Sequence, residues 1–349
     1  MFIISKKTKR ICLTATLYNL FLYLLICGYD DDDIFIFTYL FPREIAKNFN
    51  HFQLPKVNFI KGPLMAPLDS IGGVFENIAG YLRYFYGYIS LRLFLFYNRH
   101  RYNCEYEIFG NASTAFSFPF YELKNASIIE DGFLNYSRKA METHKINPII
   151  DKILHICGMY YLRIEETLGS HKNIKKVYLT NEHDDELINE KIEVIDIEKL
   201  WAEKSDEEKR KILSLFNIDY DAISKIGDDS VLILTQPLSE ANFITEDEEM
   251  DIYRNMIAEF SSRNVFVKPH PRESKDYKAI FPEVEVISNL FPIEFLKLLG
   301  IRPKVVGTII STVALSFKDG SEIYIYDGPL YSDKLENYRK TLIELLNEK

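Results

Sequence analysis

Short apolar runs alternate with amphipathic stretches along most of this 349-residue chain. In the amino-terminal half, β-branched and aromatic runs predict strands at residues 10–14, 34–38, 57–60, 106–109 and 126–129. In the carboxyl-terminal half, similar runs predict strands at residues 176–179, 192–195, 231–235, 265–268, 284–287, 304–306 and 322–326. Helical periodicity predicts helices at residues 17–26, 206–216, 247–260, 293–299 and 332–347. Because strands that alternate with helices form parallel sheets, we expect an α/β fold with two doubly wound, Rossmann-like domains facing a cleft.

A polar stretch at residues 165–173, which contains Gly169 and Ser170, predicts the domain boundary. We therefore expect domains at residues 1–168 and 169–349, the second ending in a helix. One segment, at about residues 73–103, fits the sheet plan poorly because aromatic residues there interleave with arginines. For this aromatic insert we favour a helix buried against the domain or a partner; the alternative is an element at a membrane surface.

The first thirty residues allow two interpretations. Basic residues precede an apolar run at residues 11–27, which is the order found in a signal anchor. The run is short for a membrane span and contains Thr14, Thr16 and Asn19. We therefore favour a strand and a helix, followed by an acidic turn at residues 30–33 and a second strand.

Composition narrows the class of protein. A net charge of −9 argues against a general nucleic-acid binder, and 47% hydrophobic residues are typical of a globular chain. Three Asn-x-Ser sequons occur, at Asn111, Asn125 and Asn135. A pattern this short occurs by chance too easily to indicate secretion. The four cysteines lack zinc-site spacing and are expected to be small buried side chains in a reducing compartment: Cys12, Cys27, Cys104 and Cys157.

Polar side chains follow three of the predicted strands, at the end where open α/β sheets bind ligands. The triplet from Glu130 through Asp131 to Gly132 supplies an acid and a tight turn, so a carboxylate there could deprotonate a hydroxyl. Ser311 and Thr312 follow a later strand and suit a phosphate group. Taken alone, the first motif is also a common turn and the second an ordinary helix cap.

His270 is the most informative of the seven histidines. Prolines fix the backbone on both sides, and Lys268 and Arg272 lie nearby, so an anion is its natural ligand. Its imidazole could donate to a leaving phosphate, although a structural role in the turn is the alternative. The other histidines have no notable polar motif around them in the sequence: His51, His100, His144, His155, His171 and His183.

An acid, an imidazole between two cations and a hydroxyl pair are the groups needed to displace a phosphate leaving group. We therefore interpret the chain as a glycosyltransferase that uses a nucleotide-linked sugar. The run from Asp30 to Asp33 precedes a strand rather than following one, so we expect a solvated turn away from the site and no metal site.

In this order the three motifs resemble those of the bacterial sialyltransferases, and above all glycosyltransferase family 52, the lipooligosaccharide and capsule sialyltransferases. Four further segments support the resemblance, at residues 12–18, 234–240, 268–273 and 291–294. The similarity extends from about residue 10 to about residue 328. Its most specific part is the Lys-Pro-His-Pro-Arg-Glu segment, residues 268–273.

The resemblance implies a GT-B arrangement with an acceptor-side first domain and a donor-binding second domain. It implies inverting transfer of sialic acid from CMP-sialic acid to a terminal galactose of a bacterial surface glycan, with no metal or other cofactor. His270 would protonate or hydrogen-bond the CMP phosphate, while Ser311 and Thr312 hold its oxygens. Lys268 would lie near the cytosine and Glu294 at the ribose. Other expected substrate-binding residues are Glu130, Gly132, Gln236, Glu240, Pro271 and Arg272.

Several alternatives stay open at this point. The resemblance makes Asp131 the general base, or else Glu240, Glu246 or Asp247 shortly before the His-Pro motif. It also implies a domain-swapped homodimer and contact with the inner face of the cell membrane, which would suit the aromatic insert in a cytoplasmic enzyme. Both 2,3 and 2,6 linkages fit, as do capsule and lipooligosaccharide acceptors. The rival functions are a glucosyltransferase on the same fold and a non-catalytic, membrane-anchored component of surface assembly.

Overall fold

The computed structural model describes residues 9–38, 41–53, 106–111, 126–136 and 168–347, together with residues 86, 89, 90, 93 and 96. The strand predicted at residues 57–60, most of the aromatic insert, Cys104, Asn125 and Cys157 lie outside the described residues. The chain divides into two compact units, Met1–Leu215 and Phe216–Lys349.

The first unit is built around a parallel sheet whose strand order, among the described residues, is β3-β2-β1-β4-β5-β6-β7. Its strands and helices are β1 (Arg10–Thr14), α1 (Leu17–Cys27), β2 (Ile34–Phe37), α2 (Arg43–Ala46), β3 (His51–Gln53), β4 (Glu107–Gly110), β5 (Ala126–Ile129), β6 (Ile174–Leu179), β7 (Ile192–Val194), α3 (Ile197–Glu203) and α4 (Asp206–Leu215).

The second unit has a parallel sheet of order β10-β9-β8-β11-β12. Its elements are α5 (Tyr220–Ile223), β8 (Ser230–Leu234), α6 (Glu246–Glu259), β9 (Asn264–Lys268), α7 (Tyr277–Ile280), β10 (Glu285–Val286), α8 (Glu294–Leu298), β11 (Val305–Thr308), β12 (Glu322–Ile325) and α9 (Asp333–Asn347). Side chains from α6, among them Tyr253 and Met256, pack on the apolar side chains of β8 and β11 to form the core.

The amino-terminal residues form the predicted strand, helix and strand, so the signal-anchor interpretation of residues 11–27 is wrong. Thr16 caps α1 by accepting the N–H of Asn19, and Gly28 ends the helix with φ of 72°. Most apolar side chains of α1 are buried, because the helix covers the sheet. Cys12 is fully buried as predicted, whereas Cys27 is only partly so.

Across the described part of the chain, the helices are all too short or too polar to cross a membrane.

The boundary between the units falls at residues 215 and 216, later than the predicted boundary at residues 168 and 169. The reason is that β6 pairs with β5 and β7 pairs with β6, so both strands extend the first sheet. The turn that suggested a linker is closed from within, because Lys191 Nζ donates to the carbonyls of Gly169 and His171, each at 2.9 Å.

The acidic turn at residues 30–33 lies at the amino end of β2, as expected, but it is not wholly solvated. Asp33 is 1% exposed. Its carboxylate accepts from Arg10 Nε and from the Tyr23 hydroxyl, both at 2.9 Å. Asp33 is therefore part of the packed structure, whereas Asp31 is exposed.

Strand register places the motif residues at the carboxyl edge of each sheet. In the first sheet, Leu13 pairs with Gly110 and Gly110 with Ile128. In the second, Leu234 pairs with both Lys268 and Thr308. The residues that follow these strands therefore gather at one edge within each unit.

Candidate functional site

At the carboxyl edge of the first sheet, Asp131 is held by hydrogen bonds from two directions. The Thr16 hydroxyl donates to Oδ1 and Asn111 Nδ2 donates to Oδ2. The Asp131 backbone N–H donates to Asn135 Oδ1 at 2.8 Å. Asp131 is half-buried, and these donors orient its carboxylate.

The start of α1 sets the position of this carboxylate. Thr16 Oγ1, which donates to Asp131, also accepts the Asn19 N–H at 3.1 Å. Asn19 is fully buried, and its Nδ2 donates to the carbonyls of Ile129 and Glu130 at 2.8 and 3.0 Å. Helix α1 is therefore bonded directly to the end of β5.

Glu130, in contrast, is buried and hydrogen-bonded to other groups of the protein. It is 4% exposed, and its Oε2 accepts from the Tyr136 hydroxyl at 2.6 Å and from the Thr180 N–H and hydroxyl at 2.6 and 2.7 Å. Burial and the neighbouring Glu130 raise the pKa of Tyr136. Glu130 thus links the ends of β5 and β6, while Gly132, at φ of 127°, makes the turn that an L side chain would strain.

At the carboxyl edge of the second sheet, the turn at residues 269–273 uses all of its own backbone donors. The His270 N–H donates to Glu273 Oε2 at 2.6 Å, and the Glu273 N–H donates to the His270 carbonyl at 3.0 Å. The Arg272 N–H donates to His270 Nδ1 at 3.1 Å, and Pro269 and Pro271 have no N–H. An anion at this turn must therefore be bound by side chains rather than by backbone amides.

The Arg272 bond also fixes the tautomer of His270. Because Nδ1 accepts, the neutral ring carries its proton on Nε2. Burial, together with the charges of Arg272 and Lys268, lowers the pKa of His270 to about 4. The unliganded site therefore presents a neutral N–H donor, and a bound anion would raise its proton affinity.

Lys268 is 6% exposed, and its ammonium is engaged by backbone carbonyls. Nζ donates to Ser288 and Phe291 at 3.1 and 2.9 Å and lies 4.3 Å from the centre of the Phe291 ring. Burial lowers the pKa of Lys268 to about 7. The Lys268 side chain therefore stabilises the segment that leads to Glu294, which is partly exposed at the start of α8. The expected position of Lys268 near the cytosine stays a prediction.

The segment after β8 carries Gln236 and Glu240. The Gln236 N–H donates to the Tyr253 hydroxyl at 2.7 Å, which anchors the start of the segment to α6. Lys275 Nζ lies 2.6 Å from Glu240 and 3.1 Å from the buried Glu249. Partial burial raises the pKa of Glu240, but the hydrogen bond from Lys275 outweighs this effect. The pKa of Glu240 therefore lies below its usual value.

Of the other proposed bases, Glu246 and Asp247 are exposed in the first turn of α6.

Ser311 follows β11 at 8% exposure, and its N–H donates to Thr308 Oγ1 at 3.0 Å. The Ser311 side chain does not cap the short helix Thr312–Phe317, so its hydroxyl has no capping function. Thr312 is exposed.

The structure gathers Glu130, Asp131 and Gly132 at the first edge. At the carboxyl edge of the second sheet it places Gln236, Lys268, His270, Pro271, Arg272, Ser311 and Thr312. Glu240 and Glu294 are close enough to this edge to interact electrostatically with His270 and Lys268 respectively. Among the residues with described positions, no group of three or more His, Cys, Asp or Glu side chains is arranged to hold a metal ion.

Several residues around these groups carried little signal in the sequence. Asn111 and Asn135 stand out only as sequons, yet both are buried, at 1% and 4% exposure, beside Asp131. Glu273 lies in the most specific motif but had no predicted role. His183 does have polar company, since Nε2 lies 3.9 Å from Asp185 and the ring meets the Tyr136 ring edge-on.

Solved structures show which fold the chain has. An α/β-galactoside α-2,3-sialyltransferase from Photobacterium phosphoreum is 15% identical, with a TM-score of 0.55 over 97% of this chain and 96% of that one. The GT-B domain of a Photobacterium damselae sialyltransferase is 12% identical, with a TM-score of 0.56 over 97% and 96%. A 2,6-sialyltransferase from Photobacterium sp. JT-ISH-224, solved with CMP and lactose, is 11% identical, with a TM-score of 0.55 over 97% and 76%. The chain therefore has the GT-B fold.

The family follows from the sequence match. The profile of glycosyltransferase family 52 matches residues 109–327, which is more than half of the chain, so the protein belongs to that family. An uncharacterized protein of Haemophilus influenzae (strain ATCC 51907 / DSM 11121 / KW20 / Rd) is 34% identical over 211 residues, which are 60% of this chain and 65% of the relative. The match thus spans slightly less than two thirds of that relative's length.

Proposed function

We propose that the protein is an inverting sialyltransferase that transfers sialic acid from CMP-sialic acid to a terminal galactose of a bacterial surface glycan. The observation that carries this proposal is the His270 turn, in which a neutral Nε2–H donor is preset by the Arg272 N–H at 3.1 Å. Such a donor suits a leaving phosphate that gains negative charge. Family membership and the fold shared with sialyltransferases support it.

In the proposed reaction, the acceptor hydroxyl attacks the anomeric carbon while the bond from that carbon to the CMP phosphate oxygen breaks. This single displacement inverts the anomeric centre. The His270 Nε2 proton stabilises or protonates the departing phosphate, whose negative charge raises the proton affinity of the ring. The Arg272 guanidinium and the hydroxyls of Ser311 and Thr312 supply further charge and donors.

The proton of the acceptor hydroxyl goes to a carboxylate, for which we propose Asp131. Thr16 and Asn111 orient its carboxylate, and the residue lies at the carboxyl edge of the first sheet, where open α/β sheets bind ligands. Glu240 is a weaker candidate because Lys275 lies 2.6 Å from its carboxylate and lowers its proton affinity. Glu246 and Asp247 remain alternatives, at the exposed start of α6.

Nucleotide preference tests the proposal. A ligand that binds only the native state raises its stability by RT ln(1 + [L]/Kd), so the thermal shift should be largest with CMP in a panel with UDP, GDP and ADP. Turnover of CMP-sialic acid with a galactose-terminated acceptor should release CMP. Stabilisation by UDP alone, with UDP released from a UDP-sugar, would instead identify a glucosyltransferase or a related enzyme.

We further propose a cytoplasmic location with peripheral contact to the inner face of the cell membrane, made by the aromatic insert, and a homodimer. Co-sedimentation with anionic vesicles, lost when the arginines of the insert are replaced, would support the membrane contact. Sedimentation velocity would give the oligomeric state. Binding to detergent micelles without any CMP binding would instead favour a non-catalytic component of surface assembly.

A further inference from the structure

Glu273 is a buried acid beneath the His270 turn. It is 8% exposed, and its two carboxylate oxygens serve three elements. Oε2 accepts the His270 N–H at 2.6 Å and the hydroxyl of Thr235, which directly follows β8. Oε1 accepts the Tyr277 hydroxyl at 2.6 Å from the start of α7. One side chain therefore connects both strand ends and the following helix.

These bonds are costly to assemble, because burial disfavours the charged form of a carboxylate. Burial accordingly raises the pKa of Glu273, although the donors from Thr235, Tyr277 and His270 oppose that effect. No ion pair to Glu273 is found among the residues whose positions the structure describes. A buried acid satisfied by three neutral donors needs a reason beyond filling space.

We propose that Glu273 is a positioning residue that sets the tautomer of His270. Its carboxylate takes the His270 N–H, and its own N–H takes the His270 carbonyl, at 2.6 and 3.0 Å. With both peptide groups of His270 held, the next donor in the turn, the Arg272 N–H, reaches Nδ1 at 3.1 Å. The proton is thereby kept on Nε2, where an anion can receive it.

Without the Glu273 carboxylate, the His270 N–H keeps only Thr235 Oγ1, at 3.2 Å, as an acceptor. The turn is then free to move Nδ1 away from the Arg272 N–H. A neutral ring released in this way populates the Nδ1–H form as well, which offers a lone pair instead of a proton at Nε2. Glu273 would therefore affect turnover through His270 without touching the substrate.

This inference rests on the proposed function of His270, and its test separates the two. Glu273→Gln keeps the size of the side chain but replaces one carboxylate oxygen with a donor. In the unliganded protein, ¹⁵N shifts of the His270 ring should show mainly Nε2–H in the wild type and a mixture in Glu273→Gln. For this variant we expect kcat to fall about 10- to 100-fold, which is less than the roughly 10²- to 10⁴-fold expected when a positioned acid is removed, with KM for CMP-sialic acid changed less. Glu283→Gln, at an exposed position, should match the wild type.

A wild-type tautomer and wild-type kcat in Glu273→Gln would overturn the inference even if His270→Ala is inactive. Near-normal turnover of His270→Ala would instead overturn the proposed role of His270. If Glu273→Gln does not fold, Thr235→Val decides, since it removes a hydroxyl bonded to both Glu273 and the His270 N–H. It should shift the tautomer in the same direction, and an unchanged ring with unchanged turnover would contradict the inference.

Discussion

The backbone N–H of Arg272 donates to Nδ1 of His270 at 3.1 Å, so a main-chain group determines which ring nitrogen carries the proton. The other two backbone N–H groups of this turn, those of His270 and Glu273, also donate to acceptors within the turn. The imidazole is therefore a donor fixed before any ligand arrives. Preset donors of this kind stabilise developing charge without reorganising during the reaction.

His270→Ala should lower kcat about 10²- to 10⁴-fold, which is the usual contribution of a positioned acid. The unfolding transition should change little, because the backbone bonds of the turn do not involve the ring beyond Nδ1. His270→Gln is the matched control, since its amide can donate a hydrogen bond but cannot transfer a proton at neutral pH. It should recover CMP binding more than turnover, measured by calorimetry and by CMP release. Full activity in either variant would remove His270 from the mechanism.

The charge state of His270 should depend on the ligand. Burial and the charges of Arg272 and Lys268 hold its pKa at about 4, below about 6.5 for an unperturbed histidine. A bound phosphate should raise that pKa, so CMP binding takes up protons at a pH between the free and bound values. NMR titration of the ring, assigned with His270→Gln, measures both values. A pKa near 6.5 without ligand, unchanged by CMP, would contradict the prediction.

The same depressed pKa has a consequence for stability. As pH falls from about 6.5 towards about 4, the unfolded chain takes up this proton before the folded protein does. The contribution of His270 to stability is therefore present above about pH 6.5 and is lost as the pH falls through that window. Urea unfolding of the wild type and His270→Gln should show a smaller loss in the variant. Identical pH profiles would argue against a buried, neutral ring.

Asp131→Asn should retain CMP binding and lose kcat by about 10²- to 10⁴-fold if Asp131 is the base, because an amide cannot accept the proton. Glu240→Gln is the informative comparison. It breaks the ion pair with Lys275, so we expect lower thermal stability with a smaller loss of kcat. A larger kcat loss in Glu240→Gln, Glu246→Gln or Asp247→Asn than in Asp131→Asn would move the base to the second unit.

Asp33 should matter for stability rather than for activity. Its carboxylate pairs with Arg10 at 2.9 Å and is 1% exposed, and removing one partner of a buried pair costs about 3–5 kcal/mol. We therefore expect Asp33→Ala to lower the free energy of unfolding by about that amount, measured by urea denaturation. The exposed neighbour is the control, and Asp31→Ala should change it by about 0.5 kcal/mol or less. Equal effects of the two changes would contradict the assignment.

The strands and helices followed closely from the sequence where the local pattern decides the structure. The strand at residues 126–129 has its predicted bounds, and α6 begins at Glu246, one residue before the prediction, because Thr245 caps it. The unit boundary differed because pairing of β6 with β5 is a tertiary contact that a turn-like Gly-Ser stretch does not reveal. Short elements such as β3 and α7 carry too few residues to show periodicity.

For the candidate site too, features set by local sequence could be predicted, and features set by tertiary contacts could not. Residues after strands, such as Asp131 and His270, could be found because the carboxyl edge of a parallel sheet is a known ligand position. Their partners could not, since Asn111 and Thr16 reach Asp131 from strands and turns distant in sequence. The burial of Glu130 and Lys268 was equally hidden, because a charged residue gives no sequence signal that it faces inward.

The last prediction concerns what stabilises the phosphate. A divalent cation can do so in nucleotide-sugar enzymes, but fixed donors and positive charge can supply the same stabilisation. Activity should therefore survive EDTA. Ser311→Ala with Thr312→Ala should weaken donor binding and turnover by about 10-fold or more per hydroxyl, as expected for hydrogen bonds to a charged group. Stability should barely change, since Ser311 does not cap its helix and Thr312 is exposed. Calorimetry with CMP, CMP-release kinetics and thermal unfolding give the three readouts. Loss of activity in EDTA, restored by Mg²⁺ or Mn²⁺, would contradict the metal-free mechanism, and a double variant that binds CMP normally would remove the hydroxyl pair from the phosphate site.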